Sequence, residues 1–354
     1  MPDSNREIAY ERTTQYFHRV DDDGTIYLTE RPVPLPKSLT PEARAWHCAK
    51  FREVADTRHL TDHQPMTALE LAALSDRVND VVDQQWLRAY PVDIRRRSVI
   101  GNVATDVVTP IGDEPIAKNR ALINLYPTGG VFGRNQTYEG IVIANMMRAK
   151  VYIPRYRRMP EHSLLDGLED LCAVYKHLLD EYPAANIGVF GSSSGGDMAA
   201  QVIVRLLQER LPTPGAIALL ANAMSFEGDS NNLNRGLYPD FVVQSWLRDM
   251  HRELASKARD PKRIDPNGSA VQPIRAAFNR FPPTLLVAGG RDPGCSGTTL
   301  AHREMRKAGV DADLFVFDGM PHVFYRELDF PESKELFENV AKFFDKKLGG
   351  AIGA

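Results

Sequence analysis

Residues 186–207 read NIGVFGSSSGGDMAAQVIVRLL, and this stretch says more about the architecture than any other. An apolar run rich in β-formers leads into six small residues, and apolar residues at helical spacing follow. A buried strand is predicted to end at Phe190, and a helix to begin near Gly196. The bridge Gly191-Ser192-Ser193-Ser194-Gly195 is a G-x-S-x-G in the strand-turn-helix context that motif requires. Its chemistry accounts for the glycines. A nucleophile on a very sharp turn needs a strained backbone, and Cβ atoms on its neighbours would collide there. The helix N-terminus then aims backbone N–H groups at the place where negative charge develops. Ser193 is the central residue, and Ser194 would contribute its backbone N–H while the Ser192 and Ser194 side chains turn away. The bland alternative is an ordinary Ser/Gly-rich loop. A phosphate cradle is a weaker alternative, because no Lys follows the glycines and Asp197 stands in the first helical turn.

The same alternation extends outward from this segment. ALINLY (121–126), KVYIPRY (150–156), AIALLANAM (216–224), TLLVAGG (284–290) and ADLFVF (312–317) have the adjacent apolar residues of strands buried on both faces. Residues 97–110 alternate like one or two exposed strands. Leu164, Leu168, Leu171, Tyr175 and Leu178 mark one helix face, and Leu336, Val340, Phe343 and Phe344 another. Strands alternating with helices predict an α/β fold with a mainly parallel sheet covered on both sides. About the first 95 residues instead read as helices and loops. Residues 225–283 hold one amphipathic helix (240–255) and a basic, loop-rich stretch. Both segments suit a lid over the ligand crevice at the strands' C-terminal ends.

A serine nucleophile needs a His to take its proton and a carboxylate to orient that His. On a sheet of this kind the chain order is Ser, then Asp or Glu, then His. His251, His302 and His322 follow Ser193. His251 falls in the lid helix and His302 in a charged helix, whereas His322 follows the last buried strand and is the expected base. Asp292 directly follows TLLVAGG and is the expected acid. Asp318 is the competitor, but it would share one loop with His322. Each residue alone is more simply a turn Asp or a loop His; their conjunction at three strand ends carries the argument.

Composition narrows the function classes. The 354 residues are 43% hydrophobic, enough for a large core, and 43 Lys+Arg stand against 46 Asp+Glu. That balance lacks the basic footprint of a nucleic-acid binder. Cys48, Cys172 and Cys295 are too few and scattered for a disulfide framework or a cysteine zinc site. The N-terminal MPDSNREIAYERTTQ has no apolar signal-peptide core, and no run approaches the ~18 apolar residues of a membrane span. A cytoplasmic enzyme or binding protein without a membrane span is expected.

Residues 97–348 resemble the hormone-sensitive-lipase-like branch (bacterial family IV) of the α/β hydrolases. Gly191-Ser192-Ser193-Ser194-Gly195-Gly196 is similar to that branch's G-D-S-A-G-G, and 156–162 (YRRMPEH) to its Y-R-L-A-P-E-H. Asp292-Pro293 matches the start of its D-P-L-x-D, and 319–324 (GMPHVF) its G-M-x-H-x-F. The resemblance implies an eight-stranded, mostly parallel sheet, a helical cap, a carboxylesterase without metal or cofactor, and often a homodimer. It carries Ser193, Asp292 and His322 over as nucleophile, acid and base. Three departures stand out. The oxyanion loop H-G-G-G is here Pro127-Thr128-Gly129-Gly130, so Gly129, Gly130 and Ser194 would donate the N–H groups but the loop His is gone, replaced by Pro127 or Tyr126. The Asp before the nucleophile is Ser192, and the second acid of D-P-L-x-D is Ser296.

Together these readings predict an α/β-hydrolase core over 96–224 and 284–354, with a cap built from 1–95 and the insertion 225–283. The expected activity is hydrolysis of small to medium, moderately apolar carboxylic esters through an acyl-enzyme. A lactone, amide or formamide hydrolase, an acyltransferase, or an inactive small-molecule receptor of the same fold are the alternatives. Arg157, Pro160 and Glu161 read as a structural turn with a charged pair. Tyr16, Phe17, Trp46, Trp86 and Trp246 are candidates to line the pocket, or else to pack the cap. Cys295, three residues after Asp292, would make the site sensitive to thiol reagents.

Overall fold

In the computed structural model of the chain, the runs of Val, Ile and Leu become strands of one sheet covered by helices. The structure describes residues 33–57, 68–127, 136–158, 161–222 and 276–349, the positions Ser230 and Pro273, and two short strands nearer the start. The chain divides into two compact units, Met1–Lys37 and Ser38–Ala354. In the first, β1 (Phe17–Val20) and β2 (Ile26–Leu28) pair antiparallel. The expectation of helices and loops alone over the first 95 residues fails here. The first of the one or two exposed strands expected over 97–110 is β3, and it spans Val92–Ile100, starting earlier than expected because three arginines interrupt the apolar pattern that marks a strand.

The second unit runs α1 (Pro41–Thr57), α2 (Ala68–Ala89), β3, β4 (Val103–Pro110), β5 (Ala117–Leu125), α3 (Tyr138–Met147), β6 (Ala149–Pro154) and α4 (Leu164–Leu178). It continues with β7 (Ile187–Ser192), α5 (Ser194–Gln208), β8 (Ala216–Leu220), β9 (Thr284–Gly289), α6 (Cys295–Lys307), β10 (Ala312–Phe317) and α7 (Pro331–Lys347). The sheet has eight strands in the order β10-β9-β8-β7-β5-β6-β4-β3, and only β4 runs against the others.

The crossovers from β5 to β6 and from β7 to β8 leave in opposite directions. Because such connections are right-handed, α3 lies on one face of the sheet and α4, α5 and α6 on the other. The reversal between β5 and β7 makes the crevice at their C-terminal ends the natural ligand position. Every residue of β7, β8 and β9 is buried. Leu168, Leu171, Tyr175 and Leu178 of α4 are buried as their spacing predicts, as are Leu336, Val340, Phe343 and Phe344 of α7. Phe344 meets Phe190 of β7 with ring centroids 6.1 Å apart.

Two burial expectations need correcting. β10 was expected to be covered on both faces, yet Phe315 and Val316 are exposed. It is the last strand of the sheet, and among the described residues no second strand pairs with it. β4 was expected to be exposed, yet it is largely buried because it lies between β3 and β6. The predicted helix over 240–255 lies outside the described residues. Among those described, no helix is long and apolar enough to cross a membrane.

Candidate active site

The strand register sets up the site before any side chain is considered. Gly191 of β7 pairs with Leu125 of β5 and Leu219 of β8, and Gly289 of β9 pairs with Phe317 of β10. The C-terminal ends of β7, β9 and β10 therefore lie along one rim. Ser193 is the first residue past β7, Asp292 the third past β9 and His322 the fifth past β10.

The turn at Ser193 is tighter than expected. β7 continues through Ser192 and α5 starts at Ser194, so Ser193 alone makes the reversal, with φ 52° and ψ −125°. A positive φ at a non-glycine residue is strained, and the neighbours explain why it persists. The Ser193 N–H donates to the Leu220 carbonyl at 2.8 Å. Gly191 and Gly195 leave no room for relaxation, since a Cβ on Gly191 would stand 2.6 Å from the Leu125 carbonyl oxygen. Ala221 after β8 and Val323 after His322, on the same rim, also have positive φ.

His322 stands between the other two predicted residues. Its Nδ1 is 2.9 Å from Asp292 Oδ2, and its Nε2 is 2.9 Å from Ser193 Oγ. A carboxylate accepts only, so Nδ1 carries the imidazole proton and Nε2 is left to accept from the serine hydroxyl. Asp292 Oδ1 accepts from the Gly294 N–H at 2.7 Å, which fixes the carboxylate plane. The Asp292 side chain is 1% exposed and His322 14%, so their interaction is little screened by water. Asp318 is not at the imidazole: it is exposed and accepts from the Ser38 hydroxyl at 2.5 Å. His302 lies on α6 with Nε2 3.2 Å from the Ala312 carbonyl. His251 lies outside the described residues, as do Gly129 and Gly130 of the expected oxyanion loop. Ser194, the third expected donor, begins α5 beside the nucleophile.

The residues at the family departures each find a local role. Ser192 is fully buried and accepts from the Tyr325 hydroxyl at 2.5 Å, so its side chain turns away from His322 as expected. Ser296 accepts from the Ser230 N–H at 2.9 Å. Tyr126 is buried against the ring of Tyr156, with the Arg158 guanidinium 5.7 Å from its ring centre. Arg157 engages α4, reaching Asp170 at 2.8 Å, with Asp166 and Glu169 each at 3.6 Å. It is structural, as expected; Pro160 lies outside the described residues and Glu161 is exposed.

Of the aromatic candidates, Trp86 belongs to the core. It is 1% exposed, donates to the Arg326 carbonyl at 3.1 Å and packs on Tyr138 and Phe337. Trp46 meets Phe330 edge-on. The side chains of Tyr16, Phe17 and Trp246 lie outside the described residues. Burial, and then the charge of Asp292, push the Cys295 thiol above its ordinary range, which weakens it as a nucleophile.

Sequence reasoning missed a group of buried polar residues beneath the nucleophile. Asp83 of α2 accepts from the Thr137 and Tyr138 N–H groups at 2.9 and 2.8 Å, satisfying the N-terminus of α3. Glu139, in the first turn of α3, is 1% exposed and accepts from Asn124 Nδ2 at 2.9 Å. Burial raises Asp83 to about 6 and Glu139 to about 7. An acid in a first helical turn ordinarily reads as a solvated charge facing the dipole, so nothing in the sequence marks Glu139 as buried, and Asp83 near the end of α2 carries no mark of burial either.

A family profile described as an alpha/beta hydrolase fold matches residues 123–326. The chain is 24% identical over 252 residues to the esterase LipU of Mycobacterium tuberculosis, spanning 69% of this chain and 84% of LipU. It is 22% identical over 260 residues to an acetyl-hydrolase of Streptomyces hygroscopicus, spanning 72% of this chain and 83% of that protein. Among solved structures, an esterase E25 matches with a TM-score of 0.73 and 26% identity, over 91% of this chain and 98% of that one. An esterase from the bacterial hormone-sensitive lipase family matches with a TM-score of 0.72 and 23% identity, over 88% and 99%, a likeness of fold.

Proposed function

The chain belongs to the α/β hydrolase fold family, and we propose that it is a carboxylic-ester hydrolase with Ser193 as nucleophile, His322 as base and Asp292 as the carboxylate that orients the base. In this reading Ser193 Oγ attacks the ester carbonyl while His322 Nε2 takes its proton. Asp292 holds Nδ1 and stabilises the imidazolium that forms. The Ser194 N–H, at the start of α5, meets the developing oxyanion together with the loop bearing Gly129 and Gly130. The imidazolium returns its proton to the leaving alcohol, and the acyl-enzyme is then hydrolysed by a water that His322 activates.

One observation carries this reading: the two nitrogens of His322 each stand 2.9 Å from a partner of the right kind, Asp292 on one side and Ser193 on the other. The names of the relatives, an esterase and an acetyl-hydrolase, support small to medium esters as the substrate class. Residues 92–95 belong to β3 of the sheet, so the segment from Ser38 to Pro91 and the insertion 225–283 are the parts we assign to a cap closing over that substrate.

The test treats the protein with a fluorophosphonate probe and assays short-chain p-nitrophenyl esters. Labelling and turnover are expected, both abolished by Ser193→Ala. Absence of both in the wild type overturns the enzyme reading, whereas labelling that survives Ser193→Ala overturns only the choice of nucleophile.

A further inference from the structure

The polar group under the nucleophile is larger than structural support alone requires. Four elements meet there: Ser192 at the end of β7, Asn124 in β5, Glu139 at the start of α3, and Tyr325 in the short helical turn Phe324–Arg326 that follows His322. The Tyr325 hydroxyl donates to Ser192 Oγ at 2.5 Å. This bond ties the turn that carries the base to the residue next to the nucleophile.

Burial holds the Tyr325 hydroxyl well above its ordinary pKa, so it remains a donor. Ser192, having accepted that proton, must send its own elsewhere. The buried carboxyl near it is Glu139, whose Oε2 accepts from Asn124 and whose buried Oε1 has no hydrogen-bond partner among the described residues. A carboxylate beside Ser192 can only accept, so it favours one direction for the Ser192 proton, away from Tyr325 and towards the unpartnered Glu139 Oε1. A neutral carboxyl carries a proton of its own and competes with Tyr325 for the Ser192 oxygen.

We propose that Glu139 is a positioning residue for the reaction: it acts through Ser192 and Tyr325 to hold the His322 turn in register with Ser193. This rests on the esterase reading above. The groups that share its surroundings are Asp83 from α2, Tyr138 beside it on α3, and Tyr325 and Arg326 from the turn after His322; Asp292 acts in turn on Tyr325. Burial is the main cause that places the Glu139 carboxyl at about 7, with the Ser192, Asn124 and Tyr138 side chains pulling it back and Asp83 opposing them. Its ionisation thus falls within the working range of an esterase, and the ordered chain prevails on the alkaline side.

The experiment compares wild type, Glu139→Gln, Tyr325→Phe and the double variant on p-nitrophenyl butyrate between pH 5.5 and 9. Each single substitution should lower kcat about tenfold with little change in KM, and the double variant should be no slower than Tyr325→Phe alone. The acid limb set by His322 as base should remain in every variant, whereas a second ionisation near neutrality in the wild-type kcat profile should vanish in Glu139→Gln. An unchanged kcat and profile in Glu139→Gln overturns the proposal, and so does a double variant whose loss is the product of the two. If Glu139→Gln fails to fold, Tyr325→Phe decides: it must lose the same ionisation, and keeping it overturns the proposal. Wild-type turnover and labelling of Ser193 are read in the same series, so a failure of the esterase reading is seen separately.

Discussion

Gly195 lies so close to Leu125 that a Cβ on the glycine would stand 1.9 Å from the Leu125 carbonyl oxygen. The start of α5 is thus pressed against the end of β5, and that approach forces the whole reversal from strand to helix into the single residue Ser193. The glycine after the nucleophile is there for space, since it needs no unusual φ of its own.

Gly195→Ala should therefore destabilise the protein by at least about 3 kcal/mol, because the obstacle is backbone and cannot turn aside. Gly309→Ala is a different kind of control: that position has φ 81° but nothing within 4 Å of the new methyl. Its cost should be conformational strain alone, about 1 kcal/mol. Thermal melts of both variants, with probe labelling of Ser193, check this. Equal melting temperatures, or full labelling in Gly195→Ala, would refute the crowding argument.

Asp292→Asn should lower kcat by on the order of ten-thousandfold, since an amide at this place favours the wrong imidazole tautomer. Asp318→Asn should stay within about twofold, because Asp318 is exposed and bonded to Ser38 rather than to His322. Steady-state kinetics of both variants on one ester are sufficient. Comparable losses in the two would remove Asp292 from its role.

The legible part of this molecule was the part whose pattern comes from burial on both sides. β5, β7, β8 and β9 have neighbours on either edge and helices on either face, so their apolar runs stand out, and the residues just past β7 and β9 could be placed from them. β10 has the same apolar look and only one neighbour, so Phe315 and Val316 mislead about its surroundings. β3 conceals itself in another way. Its Arg96 and the Arg97 N–H engage the buried Asp106 of β4, at 2.6 and 2.9 Å, where the register shifts and Arg97 takes φ 52°. Local pattern cannot foresee such a pairing, because the partner is set by the sheet. Ser193, Asp292 and His322 were legible through their order and their strand ends. Glu139 and Tyr325 were not, because the place of Glu139 depends on which side of α3 faces the sheet and that of Tyr325 on how the turn after His322 folds back onto Ser192.

Glu139 should also cost the protein stability as pH rises. Its folded pKa of about 7 lies above the ordinary 4.5, so the folded state resists losing that proton. Below pH 4.5 both states are protonated and nothing is lost. Between 4.5 and 7 the unfolded chain ionises first, and above 7 the full penalty is present, about 3 kcal/mol. Glu139→Gln removes it, so the variant should gain stability relative to wild type on going from pH 5 to pH 8 even as its kcat falls. Denaturant melts at the two pH values measure this, and a difference independent of pH would contradict it. A stability gain joined to an activity loss is the mark of a group kept for function.

His47 makes the opposite prediction on the acid side. This α1 residue is 1% exposed, stacks with Phe51, and has no hydrogen-bond partner for either ring nitrogen. Burial, and then the nearby Arg291, hold its pKa down to about 4, with Glu332 opposing. The unfolded chain takes up a proton at the ordinary 6.5, whereas the folded protein does so only near 4, so stability is intact above 6.5 and declines as pH falls. At pH 5 the loss is about 2 kcal/mol. His47→Leu cannot be protonated and leaves no buried nitrogen unpaired, so its stability relative to wild type should rise between pH 8 and pH 5. Because Arg291, which acts on His47, precedes Asp292 directly in the chain, the esterase rate at pH 5 is a second readout. His47→Leu should keep its activity through an acid incubation that inactivates the wild type. Equal acid sensitivity in the two proteins would show that the imidazole is charged in the fold after all.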